Sequence, residues 1–245
     1  MRRNEARGAA PGPALIYGRN AVLEAARAGR VLKVYQASGL GHDPRLDELA
    51  TLTRIEVVPP QKLEAMAPGV NQGVAAELKP RREWTLKELL AAEPSMLIAL
   101  DSIMDPQNLG AILRSAEVAG CDGAIVPEHR SAPLSPAAVK ASSGATELLR
   151  IAKVSGMPSA IAEVKRAGIW CVALDPRGEM PAWEFDFKQR VCIVVGSEGE
   201  GVHRLVKERC DARVRLPVVG HIASFNASAA AAALLYEAMR QRSQA

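Results

Sequence analysis

The chain has 245 residues, room for one large domain or two modest ones. Hydrophobic residues make up 48% and charged residues 24%, the balance of a soluble globular protein. No apolar run approaches the roughly 20 residues needed to cross a bilayer, which excludes a membrane-spanning helix, and a net charge of +4 is compatible with a polyanionic partner without requiring one.

The opening residues, "MRRNEARGAAPGP", lack the apolar stretch of a secretory leader and read as a disordered tail over 1–13. A small α/β unit is expected over 14–79. In it "NAVLEAARAG" is a helix closed by Gly29, "VLKVYQAS" a strand, and "DPRLDELATL" a helix opened by Asp43 with Pro44 at its first position. "IEVVP" and "GVAAEL" complete the unit as strands. The charged stretch "KPRREWTLKELLAAEPS", flanked by Pro80 and Pro94, reads as a linker over 80–95 with one helical segment.

From Met96 to the end, residues 96–245, the rhythm changes. Strands "MLIALD", "GAIVP", "LLRIAKV", "IWCVALD", "VCIVVG" and "RVRLP" alternate with helices. The helices are "NLGAILRSAEVAG", "SPAAVKASSGA", "SAIAEVKRAG", "VHRLVKERC" and "NASAAAAALLYEAMRQR". Such alternation predicts a parallel sheet covered on both faces, with ligands at the carboxyl ends of its strands. Aromatics are only 4% of the chain, so Ala, Val, Leu and Ile must build the core. Cys121, Cys171, Cys192 and Cys210 are too widely spaced for a metal knuckle or redox pair. No metal is expected, and a reduced, cytoplasmic setting is the simpler reading.

Three loops at strand ends carry the chemistry. The run Gly196-Ser197-Glu198-Gly199-Glu200-Gly201 has the spacing G-x-x-G-x-G. It lacks the lysine of a P-loop and the G-x-G-x-x-G of a dinucleotide fold. Its two carboxylates would repel a pyrophosphate. They leave open a neutral or cationic ligand, or a plain turn whose acids face a helix start. In "DSIMDPQNLGAILRSAE", Asn108 sits where a helix cap belongs, Gly110 admits a close approach, and Arg114 follows on the helix. In "LPVVGHIASFNASAAAAALLYEAM", Ser224, Asn226 and Ser228 gather at the start of an alanine-rich helix. Taken singly, each loop also fits an ordinary cap or surface turn.

Together and in this order, "DPQNLGAILRSAE", "VVGSEGEGV" and "LPVVGHIASFNASAAAA" resemble the three signature motifs of the SpoU/TrmH family of RNA ribose 2′-O-methyltransferases, in the SPOUT class. "KASSGATELLRIAKV" resembles the family's stretch between the first two motifs. "IYGRNAVLEAARAG", "VYQASG" and "NQGVAAEL" resemble the ribosomal-protein-like substrate domain of the subgroup that methylates a guanosine of 23S rRNA. Phe225 and Ala227 depart from the family's Leu and Val in the third motif, and both stay apolar.

The resemblance implies a trefoil-knotted catalytic domain, S-adenosyl-L-methionine as methyl donor, an rRNA substrate and a homodimer. It implies catalytic roles for Arg114, Asn108, Glu198, Ser224 and Asn226, and cofactor contacts from Gly196, Gly201, Leu216, Phe225 and Ser228. Arg19, Asn20, Lys33, Arg130 and Lys140 are candidate RNA contacts. Rival readings are a tRNA ribose methyltransferase of the same family and a non-catalytic RNA-binding relative. A Rossmann-type dehydrogenase is disfavoured by the failed fingerprint.

Overall fold

The computed structural model describes residues 14–221 and 225–244. The expected tail over 1–13 and Ser224 therefore lie outside the described residues. The chain divides between Arg81 and Arg82 into two compact units.

In the first unit the strands are β1 (Ala14–Tyr17), β2 (Val31–Ala37), β3 (Ile55–Val58) and β4 (Val74–Leu78). They form one sheet in the order β1-β4-β2-β3. Strands β1 and β2 run antiparallel to β4, and β2 runs parallel to β3. The helices are α1 (Arg19–Arg27), α2 (Pro44–Leu52) and α3 (Pro60–Met66). Asp43 caps α2 by accepting from the Arg45 N–H at 2.9 Å, with Pro44 in the first turn where its missing N–H costs nothing. Helix α3, absent from the sequence reading, starts at the same kind of signal, Pro59-Pro60.

The second unit holds a seven-stranded sheet. Its strands are β5 (Met96–Asp101), β6 (Gly123–Pro127), β7 (Arg150–Val154), β8 (Trp170–Leu174), β9 (Met180–Pro181), β10 (Val191–Gly196) and β11 (Ala212–Arg215). Their order is β7-β6-β5-β10-β8-β11-β9, and every pairing is parallel. The helices are α4 (Leu86–Ala91), α5 (Pro106–Val118), α6 (Pro136–Ala141), α7 (Ala145–Leu148), α8 (Met157–Arg166), α9 (Arg204–Lys207) and α10 (Ala227–Ser243).

Burial on both faces explains the unbroken apolar strands. Along β5, Met96, Ile98 and Leu100 pack in one cluster with residues of α5 and α10. Leu97 and Ala99 pack in the other with residues of α4, α8 and α9. Central strands β5 and β10 pair in register from Val191↔Met96 to Gly196↔Asp101, so both end at the same level.

Three expectations need revision here. The stretch read as a linker is part of the second unit from Arg82 on, because α4 buries Leu86 and Leu89 in its core. The helix expected over 135–145 breaks into α6 and α7 at Ser143 and Gly144, both at positive φ. The helix expected over 202–210 contracts to α9, and β9 is a two-residue strand too short to leave a periodic signal.

Candidate active site

Strands β8 and β10 point their carboxyl ends at one cleft of about 440 Å³. Its walls come from the ends of β8 and β10, the glycine loop, α9, the chain after β11 and the start of α10.

The glycine loop is closed by its own backbone. The Gly201 N–H donates to the Ser197 carbonyl at 2.9 Å. A Cβ at Gly196 would lie 1.9 Å from the Gly201 carbonyl carbon and 2.1 Å from the Val202 nitrogen, so only glycine lets the chain fold back on β10. Gly199 and Gly201 take φ of +89° and +68°, which a side chain would oppose.

Helix α5 starts one residue pair earlier than the sequence reading placed it. Asp105, not Asn108, is the cap, accepting from the N–H groups of Gln107 (3.1 Å) and Asn108 (3.2 Å) ahead of Pro106. That frees the Asn108 side chain for the site. Gly110 admits α6 rather than a ligand: a Cβ there would meet the Ala138 carbonyl at 2.4 Å and the Ala141 Cβ at 2.5 Å.

Asn226 joins the three loops. It caps α10, its Oδ1 accepting from the N–H groups of Ser228 (2.9 Å) and Ala229 (3.3 Å) and from the Ser228 hydroxyl (2.6 Å). Its Nδ2 donates to Asn108 Oδ1 at 3.0 Å and to Glu198 Oε2 at 3.4 Å. The helix start thus fixes the amide orientation, and the amide fixes one residue from each of the other two loops.

Gly196, Glu198, Gly201, Leu216 and Phe225 line the cleft as expected of a ligand wall. Ser228 is engaged in the α10 cap instead. Arg114 lies exposed on α5, about 9 Å along the helix axis from Asn108 at the usual rise per residue. Among the described residues it has no ion-pair partner.

The sequence reading missed Asp175, Arg177 and Lys207, which also line the cleft. Lys207 Nζ lies 2.9 Å from Asp175 Oδ2, so a lysine does reach the site, from α9. Burial pushes the Asp175 carboxyl up. The Arg177 N–H and the Lys207 ammonium outweigh burial and hold it below its ordinary value. The available signal was Asp175-Pro176, a turn at the carboxyl end of a buried parallel strand.

The candidate RNA contacts separate into two groups. Arg19 pairs with Asp43 and donates to the Gln72 carbonyl. Asn20 accepts from Arg45 at 2.9 Å, and Lys33 pairs with Glu56 at 2.6 Å. These three are engaged within the first unit. Lys140 is half-buried on α6. Arg130 is exposed at φ +56°, in a loop that Ala132 fastens to the Ile103 carbonyl beside α5.

The description "SpoU rRNA Methylase family" matches residues 95–236. The chain belongs to the SpoU rRNA methylase family. The "RNA 2'-O ribose methyltransferase substrate binding" description matches residues 15–84. The 23S rRNA (guanosine-2'-O-)-methyltransferase RlmB of Pseudomonas syringae is 37% identical over 93% of this chain and 96% of its own length. An uncharacterized tRNA/rRNA methyltransferase of Mycolicibacterium vanbaalenii is 38% identical over 94% of this chain and 77% of its own. Among solved structures, the SpoU methyltransferase AviRb from Streptomyces viridochromogenes, in complex with AdoMet, matches with a TM-score of 0.79 at 27% identity. That match covers 94% of this chain and 91% of the other. The SpoU chain described here is accordingly an RNA 2′-O-methyltransferase.

Proposed function

We propose that this SpoU methylase transfers a methyl group from S-adenosyl-L-methionine to the ribose 2′-hydroxyl of a guanosine in 23S rRNA, and that it works as a homodimer. The observation that carries the methyl-transfer site is the Asn226 junction, which ties Asn108 and Glu198 to the rim of a cleft. The guanosine and 23S rRNA assignment is supported by the likeness to the P. syringae enzyme along nearly the whole chain.

The residues present fit such a cofactor. Leu216, Phe225 and Ala227 offer apolar walls to an adenosine. Glu198 offers a carboxylate to a sulfonium. The Asp175–Lys207 pair offers both charges to an amino-acid end. When bound, the cofactor supplies an electrophilic methyl group.

The protein's own task is alignment and removal of one proton. Holding the hydroxyl in line can supply roughly 7–11 kcal/mol of barrier reduction. The Arg114 guanidinium stays protonated and is a poor base. Its role is to clamp the neighbouring phosphate and orient the ribose, the proton leaving through that phosphate or a water. Asn108, Glu198 and Asn226, joined by the Asn226 amide, hold the ribose in place.

The M. vanbaalenii relative, whose name spans tRNA and rRNA, keeps a tRNA substrate as a second reading. Methyl transfer from labelled cofactor to 23S rRNA and to tRNA transcripts, followed by mapping of the 2′-O-methylated residue, separates them. A methylated guanosine in 23S rRNA is expected. Methylation of tRNA alone overturns the rRNA assignment.

A further inference from the structure

One buried carboxylate near the cleft has no place in the scheme above. Asp101 is the last residue of β5 and is 4% exposed. It pairs in register with Gly196, where the glycine loop leaves β10. Burying a carboxylate is costly unless it is paired and hydrogen-bonded. Among the described residues, the one basic side chain within ion-pair distance of Asp101 is an imidazole, that of His203.

The contact has two prongs. Asp101 Oδ2 accepts the His203 backbone N–H at 2.7 Å and stands 3.3 Å from His203 Nδ1. Ser102 backs it, its hydroxyl 3.5 Å from Asp101 Oδ1 and 3.4 Å from His203 Nδ1. Ser102 takes φ +61°, a conformation a serine adopts at a cost, which marks this turn as held by its surroundings.

His203 sits between two parts of the cleft wall. The glycine loop precedes it, and α9, which carries Lys207, follows it. Fixing residue 203 therefore fixes both. Glu200, within the loop, lies 3.8 Å from His203 Nε2, so the imidazole faces a carboxylate on each side. Arg204, next in the chain, is turned to Glu208 at 2.6 Å and does not compete.

We propose that Asp101 is a positioning residue for the glycine loop, gripping it through the His203 N–H and imidazole and so setting the shape of the cofactor cleft. This rests on the reading of the cleft as the S-adenosylmethionine site.

Two variants test it by direct titration with S-adenosylmethionine. Asp101→Asn keeps an acceptor for the N–H and loses the charge. It should weaken cofactor binding about tenfold, the scale of one charge-assisted contact, with kcat at saturating cofactor little changed. His203→Ala keeps the N–H contact and should weaken binding less, about threefold. Hydrogen exchange of the amides of residues 197–203 should quicken in Asp101→Asn without ligand. Binding and exchange equal to wild type in both variants overturn the proposal, as does a loss that tracks only the unfolded fraction. A wild type that fails to bind S-adenosylmethionine overturns the cofactor reading instead, and the exchange rates still decide the grip.

Discussion

At the amino ends of the parallel strands, Arg242 donates to the carbonyls of Ser95 (2.8 Å), Phe187 (2.9 Å) and Gln189 (2.6 Å). Arg190 reaches the Pro94 carbonyl at 3.1 Å, and the Gln241 amide bridges the Phe187 N–H and the Phe185 carbonyl. Asp122 accepts the N–H groups of Ser95 and Met96, and Asp211 that of Cys171. At the carboxyl ends the backbone is instead turned by Gly196, Gly199 and Gly201, and polar side chains such as Asn108, Glu198 and Asn226 meet at a cleft. One end of the same sheet is sealed by long side chains and serves stability. The other is left with room and donors for a ligand. Substitutions at the two ends should therefore fail in different assays.

The largest effect is expected at the open end. Arg114→Lys keeps the charge but loses the planar fork that clamps a phosphate. Turnover should fall by roughly 100-fold or more, the scale of a lost electrostatic donor at a reacting centre. Cofactor affinity and melting temperature should stay near wild type, because Arg114 is exposed and has no ion-pair partner among the described residues. Single-turnover methylation beside a thermal melt checks both halves. Full activity removes Arg114 from the mechanism. A large drop in melting temperature blurs the contrast between the two ends.

The opposite pattern is expected of Arg242→Ala. Three backbone carbonyls lose their donor, two of them in part-buried contacts, and the last turns of α10 keep only the Gln241 bridge to the segment before β10. The cost should be about 3 kcal/mol of unfolding free energy, read from the urea midpoint. Turnover per folded molecule should be unchanged. A variant as stable as wild type would show that the amino end is not sealed by this side chain.

How much of this was legible in the sequence follows the same division. The parallel sheet was legible because apolar runs such as "VCIVVG" alternate with helical segments, and burial on both faces writes that pattern directly. The three loops were legible as neighbours only through their joint resemblance to one family, since Asn108 and Asn226 are 118 positions apart. The Asp105 cap could have been found locally. Asp105-Pro106 repeats the Asp43-Pro44 signal that was read correctly at α2. Asp175–Lys207, Arg19–Asp43 and Lys33–Glu56 could not, because long-range ion pairs leave no periodic trace. Arg19 and Lys33 thus looked like free phosphate contacts, whereas each has a carboxylate partner within its own unit.

The smallest effect sharpens the boundary between the two ends, because Asp175 serves both. It lines the cleft, yet it also anchors the turn after β8 by accepting the Arg177 N–H at 3.0 Å and pairing with Lys207. Its carboxyl is held below its ordinary value when folded, so the folded state binds its proton less readily than the unfolded chain. The stabilisation is then complete above the unfolded value and is lost as pH falls through the folded one. Asp175→Asn should cost about 1 kcal/mol at neutral pH, on the scale of one ordinary hydrogen bond, since the amide keeps an acceptor for the Arg177 N–H. That difference should vanish in acid, where wild type and variant are both neutral at this position. Urea unfolding at neutral and acidic pH measures it. A stability gap that persists unchanged into acid would show that Asp175 contributes shape rather than charge, and would move it from the open end to the scaffold.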